Sequence, residues 1–208
     1  MQRQRERDSI GRALTIDRRH MTSRILLCIA LAMQATVARA APSGDPEAGR
    51  RNTVTCNGCH AQAGMQNVPS LGGQNPAYFI AAMHAYQDGK RTHATMRDVA
   101  KAWSDKELRN FAAWYARFGA PDAAADAEAP PQAKACEACH GPQGRTPLSP
   151  GSPVLAGQKP AFLKAALREY RDGVREHAVM QTQVAGLSDG DIEALAGYFS
   201  QQRGLMVK

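Results

Sequence analysis

The chain has 208 residues, 43% of them hydrophobic and 22% charged, with a formal net charge of +7. That composition fits one or two small globular domains and excludes a collagen-like, low-complexity or polytopic membrane protein. Residues 1–40 hold eight arginines against three acids and supply +5 of the charge. The remainder is close to neutral and lacks the basic stripe that nucleic-acid binding requires.

In chain order, Met1 to Arg24 is arginine-rich and Ile25 to Val37 is apolar. Ala38-Arg39-Ala40 then supplies a small-x-small cleavage signal. These are the ordered parts of a secretory signal peptide cleaved near Ala40, with Met21 a better start than Met1. An uncleaved membrane anchor is the alternative, but the apolar run falls short of the about 20 residues a span needs. Five cysteines are present, and Cys28 leaves with this leader. The other four all belong to two Cys-x-x-Cys-His pentapeptides, Cys56–His60 and Cys136–His140.

A first domain is expected over residues 41–120. Asp45-Pro46 reads as an N-cap followed by proline at the first helical position, with the helix running toward Cys56. Asn75-Pro76 opens another helix, with Phe79, Met83 and Tyr86 on one side and Gly89 as its stop. Ser104-Asp-Lys-Glu107 is a capping box. Leu108, Phe111, Ala112, Tyr115 and Phe118 follow at the spacing of one apolar helix face. Residues 121–131, Ala-, Pro- and acid-rich, read as a semi-extended linker.

A second domain over 132–208 repeats the first. Leu71-Gly-Gly-Gln74 corresponds to Leu155-Ala-Gly-Gln158, and Tyr86-Gln-Asp-Gly89 to Tyr170-Arg-Asp-Gly173. His93-Ala-Thr-Met96 corresponds to His177-Ala-Val-Met180. About 17 of the 45 positions from Leu71 to Tyr115 are identical at a shift of 84, whereas the Cys motifs are shifted by 80. The second half therefore holds four extra residues between His140 and Leu155. Its last helix repeats the cap as Ser188-Asp-Gly-Asp191, followed by Ile192, Leu195, Ala196 and Phe199. Neither half shows period-two strands. Domains this small bury little apolar surface alone, and a bound cofactor would complete their cores.

Cys-x-x-Cys-His is the attachment signature of c-type haem. Two thiols form thioethers to one porphyrin, and the adjoining histidine reaches the iron. A zinc site split over both motifs would need Cys pairs much closer in sequence, and a thioredoxin-like redox pair would need a βαβ context. Cys56 and Cys59 are thus expected to hold one haem and Cys136 and Cys139 a second, with His60 and His140 on the irons. For the sixth ligand the repeat offers two aligned pairs, Met96/Met180 and His93/His177. Met65, Met83 and Met206 have no Met counterpart, and His84, aligned with Arg168, reads as a surface residue. Pro69 and Pro153 are candidates to accept a hydrogen bond from the axial histidines. Arg91 and Arg175 align and could pair with haem propionates. Tyr78/Phe162 and Trp114/Tyr198 read as haem-wall packing.

Taken together, these motifs resemble a tandem dihaem class I c-type cytochrome of the cytochrome c4 type, over nearly all of residues 44–203. The resemblance implies an all-α fold: two tandem cytochrome c-like domains, each around one covalently bound haem c, packed about a pseudo-twofold axis. It implies Met96 and Met180 as the sixth ligands. It also implies a periplasmic electron carrier, not an enzyme, taking electrons from a membrane respiratory complex to a terminal oxidase or other redox enzyme. Association with the membrane surface fits such a role. The competing readings are a cytochrome subunit of a periplasmic dehydrogenase, a dihaem peroxidase with one open iron, and a redox sensor. Residues 41–120 carry +3 and 121–208 carry −1, an asymmetry expected to steer docking.

Overall fold

Prolines and capping side chains set where the helices begin. The computed structural model describes residues 44–119 and 128–206, which belong to one unit spanning 41–208. The leader, its cleavage point and most of the linker lie outside the described residues. The first half contains α1 (Pro46–Asn52), α2 (Val54–His60), α3 (Pro76–Gln87), α4 (Ala94–Lys101) and α5 (Asp105–Tyr115). The second contains α6 (Ala133–His140), α7 (Pro160–Arg171), α8 (Ala178–Val184) and α9 (Asp189–Gln201). No helix among the described residues is long and apolar enough to cross a membrane.

The Asp45 carboxylate caps α1 by accepting from the Glu47 and Ala48 N–H groups at 2.9 and 3.1 Å. The helix does not run through to Cys56 as expected. It ends at Asn52, and α2 starts afresh at Val54. The break lies at Thr53, whose hydroxyl donates to the Arg50 carbonyl at 2.9 Å. Such local side-chain bonds compete with helical ones. Asn75 caps α3 as expected, its side chain accepting from Ala77 N–H at 3.0 Å.

Both capping boxes form. The Glu107 carboxylate accepts from Ser104 N–H at 2.9 Å, and that of Asp191 from Ser188 N–H at 2.9 Å. These serine bonds hold both carboxyls below their usual values. Stability from a lowered carboxyl is complete above its unfolded pKa and is lost as pH falls through the folded one. The thermal midpoint should therefore fall between about pH 5 and pH 3, and Ser188→Ala should make that fall shallower in a melting series.

Each half builds its own core. In the first, Phe79, Met83 and Tyr86 of α3 meet Leu108, Phe111 and Tyr115 of α5. Full burial of each such side chain contributes roughly 1.5–3 kcal/mol. Phe118 lies just past α5, in a 3-10 turn, half-buried against Trp114. Trp103, where the second half has Leu187, packs edge-on to Phe111 at 5.0 Å. In the second half Leu163, Leu195, Ala196, Tyr198 and Phe199 cluster on Ala133 of α6.

The Leu-x-Gly-Gln blocks position the two halves. Gly73 and Gly157 have φ of +89° and +71°. Each donates to the last turn of its own long helix, Gly73 N–H to Tyr115 O at 2.7 Å and Gly157 N–H to Phe199 O at 2.9 Å. A Cβ at either would approach backbone to 2.8 Å, so glycine is required there. The next residue in each block crosses to the other half. Gln74 Oε1 accepts from Val154 N–H at 2.8 Å, and its Nε2 donates to Val154 O at 3.2 Å. In mirror image, Gln158 Oε1 accepts from Ser70 N–H at 2.8 Å, and its Nε2 donates to Ser70 O at 3.1 Å. Val154 is Ser70 shifted by 84, so the interface is isologous about a pseudo-twofold axis. A bridge between Gly72 and Met206 ties the described C-terminal end to the first half.

Candidate haem-binding sites

The two Cys motifs are helical, on α2 and α6, and each helix ends at its histidine. A helical turn brings Cys56 and Cys59, and likewise Cys136 and Cys139, onto neighbouring parts of one surface. All four thiols are free of disulfides. Cys56 and Cys136 are half-buried against the two cores, and burial pushes both thiols up.

His60 and His140 are 8% and 6% exposed. His60 Nδ1 donates to the Pro69 carbonyl at 2.8 Å, and His140 Nδ1 to the Pro153 carbonyl at 2.8 Å. This is the support foreseen for the two prolines. Burial holds both imidazoles below the usual histidine value, and at His60 the charges of Lys159 and Arg91 add to it. Both rings are therefore neutral near pH 7, with the proton on Nδ1 and the lone pair on Nε2. That donor set fits an iron ligand. Among the described residues no group of three His, Cys, Asp or Glu side chains converges to hold a metal ion.

Met96 and Met180 stand in the first turns of α4 and α8, two helices the sequence did not reveal. The caps are His93 and His177, whose Nδ1 atoms accept from the Met96 and Met180 N–H groups at 3.2 and 3.3 Å. Tyr86 and Tyr170 stand edge-on to these imidazoles. The histidines that align three residues before each methionine thus have a cap to hold. Met96 packs against the first core.

Arg91 and Arg175 are 9% and 7% exposed. They lie over the Tyr86 and Tyr170 rings at 4.6 and 4.5 Å. Neither forms an ion pair with a carboxylate among the described residues. Buried guanidiniums without an acid suit an anionic group such as a propionate. Tyr78 was expected to pack and no more, yet Arg175 donates to its hydroxyl across the interface at 3.0 Å. Burial pushes the Tyr78 phenol up, but Arg175 and Arg91 outweigh it and hold it below the usual tyrosine value. Phe162, its counterpart, offers Arg91 only a ring face at 6.0 Å. Tyr198 also does more than pack, since its hydroxyl donates to Glu137 Oε1 at 3.2 Å. Trp114 takes Arg117 over its ring at 5.5 Å. His84 is on the surface, bonded to Asp105 at 2.9 Å, and its counterpart Arg168 pairs in the same way with Asp189.

Two helical Cys-x-x-Cys-His segments, each ending on a buried neutral imidazole and joined by a twofold-like seam, define a dihaem class I c-type cytochrome. No family model matches the chain. Cytochrome c4 of Pseudomonas aeruginosa is 32% identical over 176 residues, covering 75% of this chain and 88% of that protein. The thiosulfate dehydrogenase electron acceptor of Stutzerimonas stutzeri is 30% identical over 167 residues, covering 71% and 77%. The crystal structure of reduced recombinant cytochrome c4 from Pseudomonas stutzeri superposes with a TM-score of 0.64 at 26% identity, covering 77% of this chain and 100% of that one. The chain belongs to the cytochrome c4 family. It is an all-α electron-transfer protein carrying two covalently bound haems c.

Proposed function

We propose that Cys56 and Cys59 attach the first haem and Cys136 and Cys139 the second, in domains spanning 41–120 and 132–208 around a linker over 121–131. His60 and Met96 are the axial ligands of the first iron, and His140 and Met180 those of the second. The observation that carries this reading is the matched pair of imidazoles, each buried, neutral and oriented by a proline carbonyl. Commitment of His93 and His177 Nδ1 to capping supports methionine over histidine as the sixth ligand.

Each haem, when bound, supplies a one-electron iron couple. The residues around it do the rest. Pro69 and Pro153 fix the imidazole tautomer and ring plane, so the ligand stays put between redox states. Thioether ligation by Met96 and Met180 would raise the potential relative to a second histidine. Arg91 and Arg175, buried and without a carboxylate partner among the described residues, would offer positive charge to haem propionates. Two ligands per iron leave no position for a substrate.

The protein is exported to the periplasm by residues 1–40 and carries electrons from a membrane respiratory complex to a terminal oxidase or reductase. A second reading is favoured by the likeness to a thiosulfate dehydrogenase electron acceptor: service as acceptor or cytochrome subunit of a periplasmic dehydrogenase. Co-purification from the periplasm distinguishes a fixed subunit from a free carrier.

A potentiometric titration with optical detection tests the core of this reading. Two low-spin one-electron waves, unaffected by carbon monoxide, are expected. A high-spin iron in the resting protein, or ready carbon monoxide binding at both irons, would replace the carrier by a haem enzyme.

A further inference from the structure

The two sites share one ligand set, so any difference between their potentials must come from positions where the repeat departs from its own symmetry. Adding an electron makes a site more negative by one charge. A fixed cation nearby therefore favours the reduced form, and a fixed anion opposes it. Two departures place a charge beside one site and a neutral group at the mirror position.

The first is Lys159, which corresponds to Asn75 at the shift of 84. Lys159 belongs to the second half but serves the first. Its Nζ donates to the Gln62 and Met65 carbonyls at 2.8 and 3.0 Å, on the loop that leaves His60. The residue is 7% exposed, so its charge is screened less than a surface lysine's. At the mirror position Asn75 reaches across with a neutral amide, donating to Ser152 O at 2.8 Å.

The second is Glu137, between Cys136 and Cys139, where the first motif has Asn57. Its Oε1 is held by the Tyr198 hydroxyl at 3.2 Å and by Gln143 N–H at 2.9 Å. Gln143 is the one non-glycine residue with positive φ, at 56°, among the described residues. Asn57 takes a different hydroxyl, that of Tyr115, whose counterpart in the second half is Phe199, at 2.8 Å. Arg145 acts on Tyr198 in the opposite sense to Glu137 and so offsets part of the Glu137 charge.

We propose that the first-half haem has the higher reduction potential, and that Lys159, reaching over from the second half, is the residue that mainly sets the difference, with Glu137 acting in the same sense. An electron entering at either end then rests on the first half, the half that also carries the net positive charge. Lys159 is a positioning and tuning residue. It touches the loop beside the axial histidine and does not ligate. The inference rests on the dihaem reading above.

The test uses the full-length holoprotein. Haem content and spin state are measured first. Fewer than two low-spin haems per chain would remove the dihaem reading and this inference with it. In the intact protein, Met180→His should move the lower wave further down and leave the upper one, because a second histidine lowers the potential. Lys159→Met should then lower the upper wave, reducing the reduced-to-oxidised ratio at fixed potential by roughly threefold to tenfold, tenfold being about 59 mV for one electron. Lys159→Arg should leave it in place. Asn75→Lys, which builds the mirror charge at the expense of the α3 cap, should raise the lower wave by a similar factor. Glu137→Gln should raise the lower wave by less. Upper-wave movement in Met180→His, or unmoved waves in both Lys159→Met and Asn75→Lys, would overturn the assignment.

Discussion

Replacing Cys56 and Cys59 together by serine is expected to halve the covalent haem content, from two per chain to one, while leaving the second-half spectrum intact. Serine is close to cysteine in size, so the change removes the thioethers and little else. The consequence for folding is larger than the substitution suggests. Without its haem the first half keeps a core of six large side chains, Phe79, Met83, Tyr86, Leu108, Phe111 and Tyr115. A domain of that size is marginal without added support. The first half should therefore melt separately and earlier, seen as a new low-temperature transition in far-UV circular dichroism. The haem absorbance of the second half should be lost in a later, separate transition. Alkaline pyridine haemochrome assay gives the count directly. A double variant that still holds two thioether-linked haems would refute the assignment of these cysteines. The mirror variant, Cys136 and Cys139 to serine, should show the converse pattern.

Much of this was open to view in the sequence, and the limits have physical causes. Proline and short polar caps act within a few residues, so the starts of α1, α3, α5 and α9 were readable at Asp45, Asn75, Ser104 and Ser188. The apolar face of α5 was readable for the same reason, because Leu108, Phe111, Ala112 and Tyr115 obey a local period. The break at Thr53 was not, since it depends on one hydroxyl choosing a backbone carbonyl. Helices α4 and α8 were hidden because their caps are histidines, a residue type outside the usual cap preference. The only available signal was the repetition of His-Ala-x-Met at the same shift in both halves. Gln74 and Gln158 were quoted as parts of a motif, yet their role lies across the interface, which no local pattern encodes. The same holds for Lys159 and for the Tyr78 hydroxyl. Each finds its partner in the other half, 94 or more residues away in sequence.

That interface makes the second large prediction. Gln74 and Gln158 are 5% and 3% exposed. Each amide satisfies a backbone N–H and a backbone C=O of the opposite half, and each Oε1 also accepts from the following residue of its own half, Asn75 or Lys159. Truncating either to alanine strands two backbone donors and one backbone acceptor. Each stranded group costs about 1–3 kcal/mol, so Gln74→Ala and Gln158→Ala should each destabilise by roughly 3 kcal/mol or more. The pair shares one seam, and the double variant should therefore cost less than the two singles added. It should also split unfolding, with one cooperative urea transition becoming two of smaller slope, each tracked by its own haem band. Gln158→Glu separates hydrogen bonding from packing. A glutamate of the same shape keeps two acceptor oxygens but cannot donate to Ser70 O, and it buries a charge beside Ser70 and Val154. It should be at least as damaging as alanine, whereas a seam held by shape alone would tolerate it. If the double variant unfolds in a single transition with unchanged slope, the halves are joined by the remaining contacts, Lys159 to the Gln62–Met65 loop and Arg175 to Tyr78, and the amide pair is incidental to the seam.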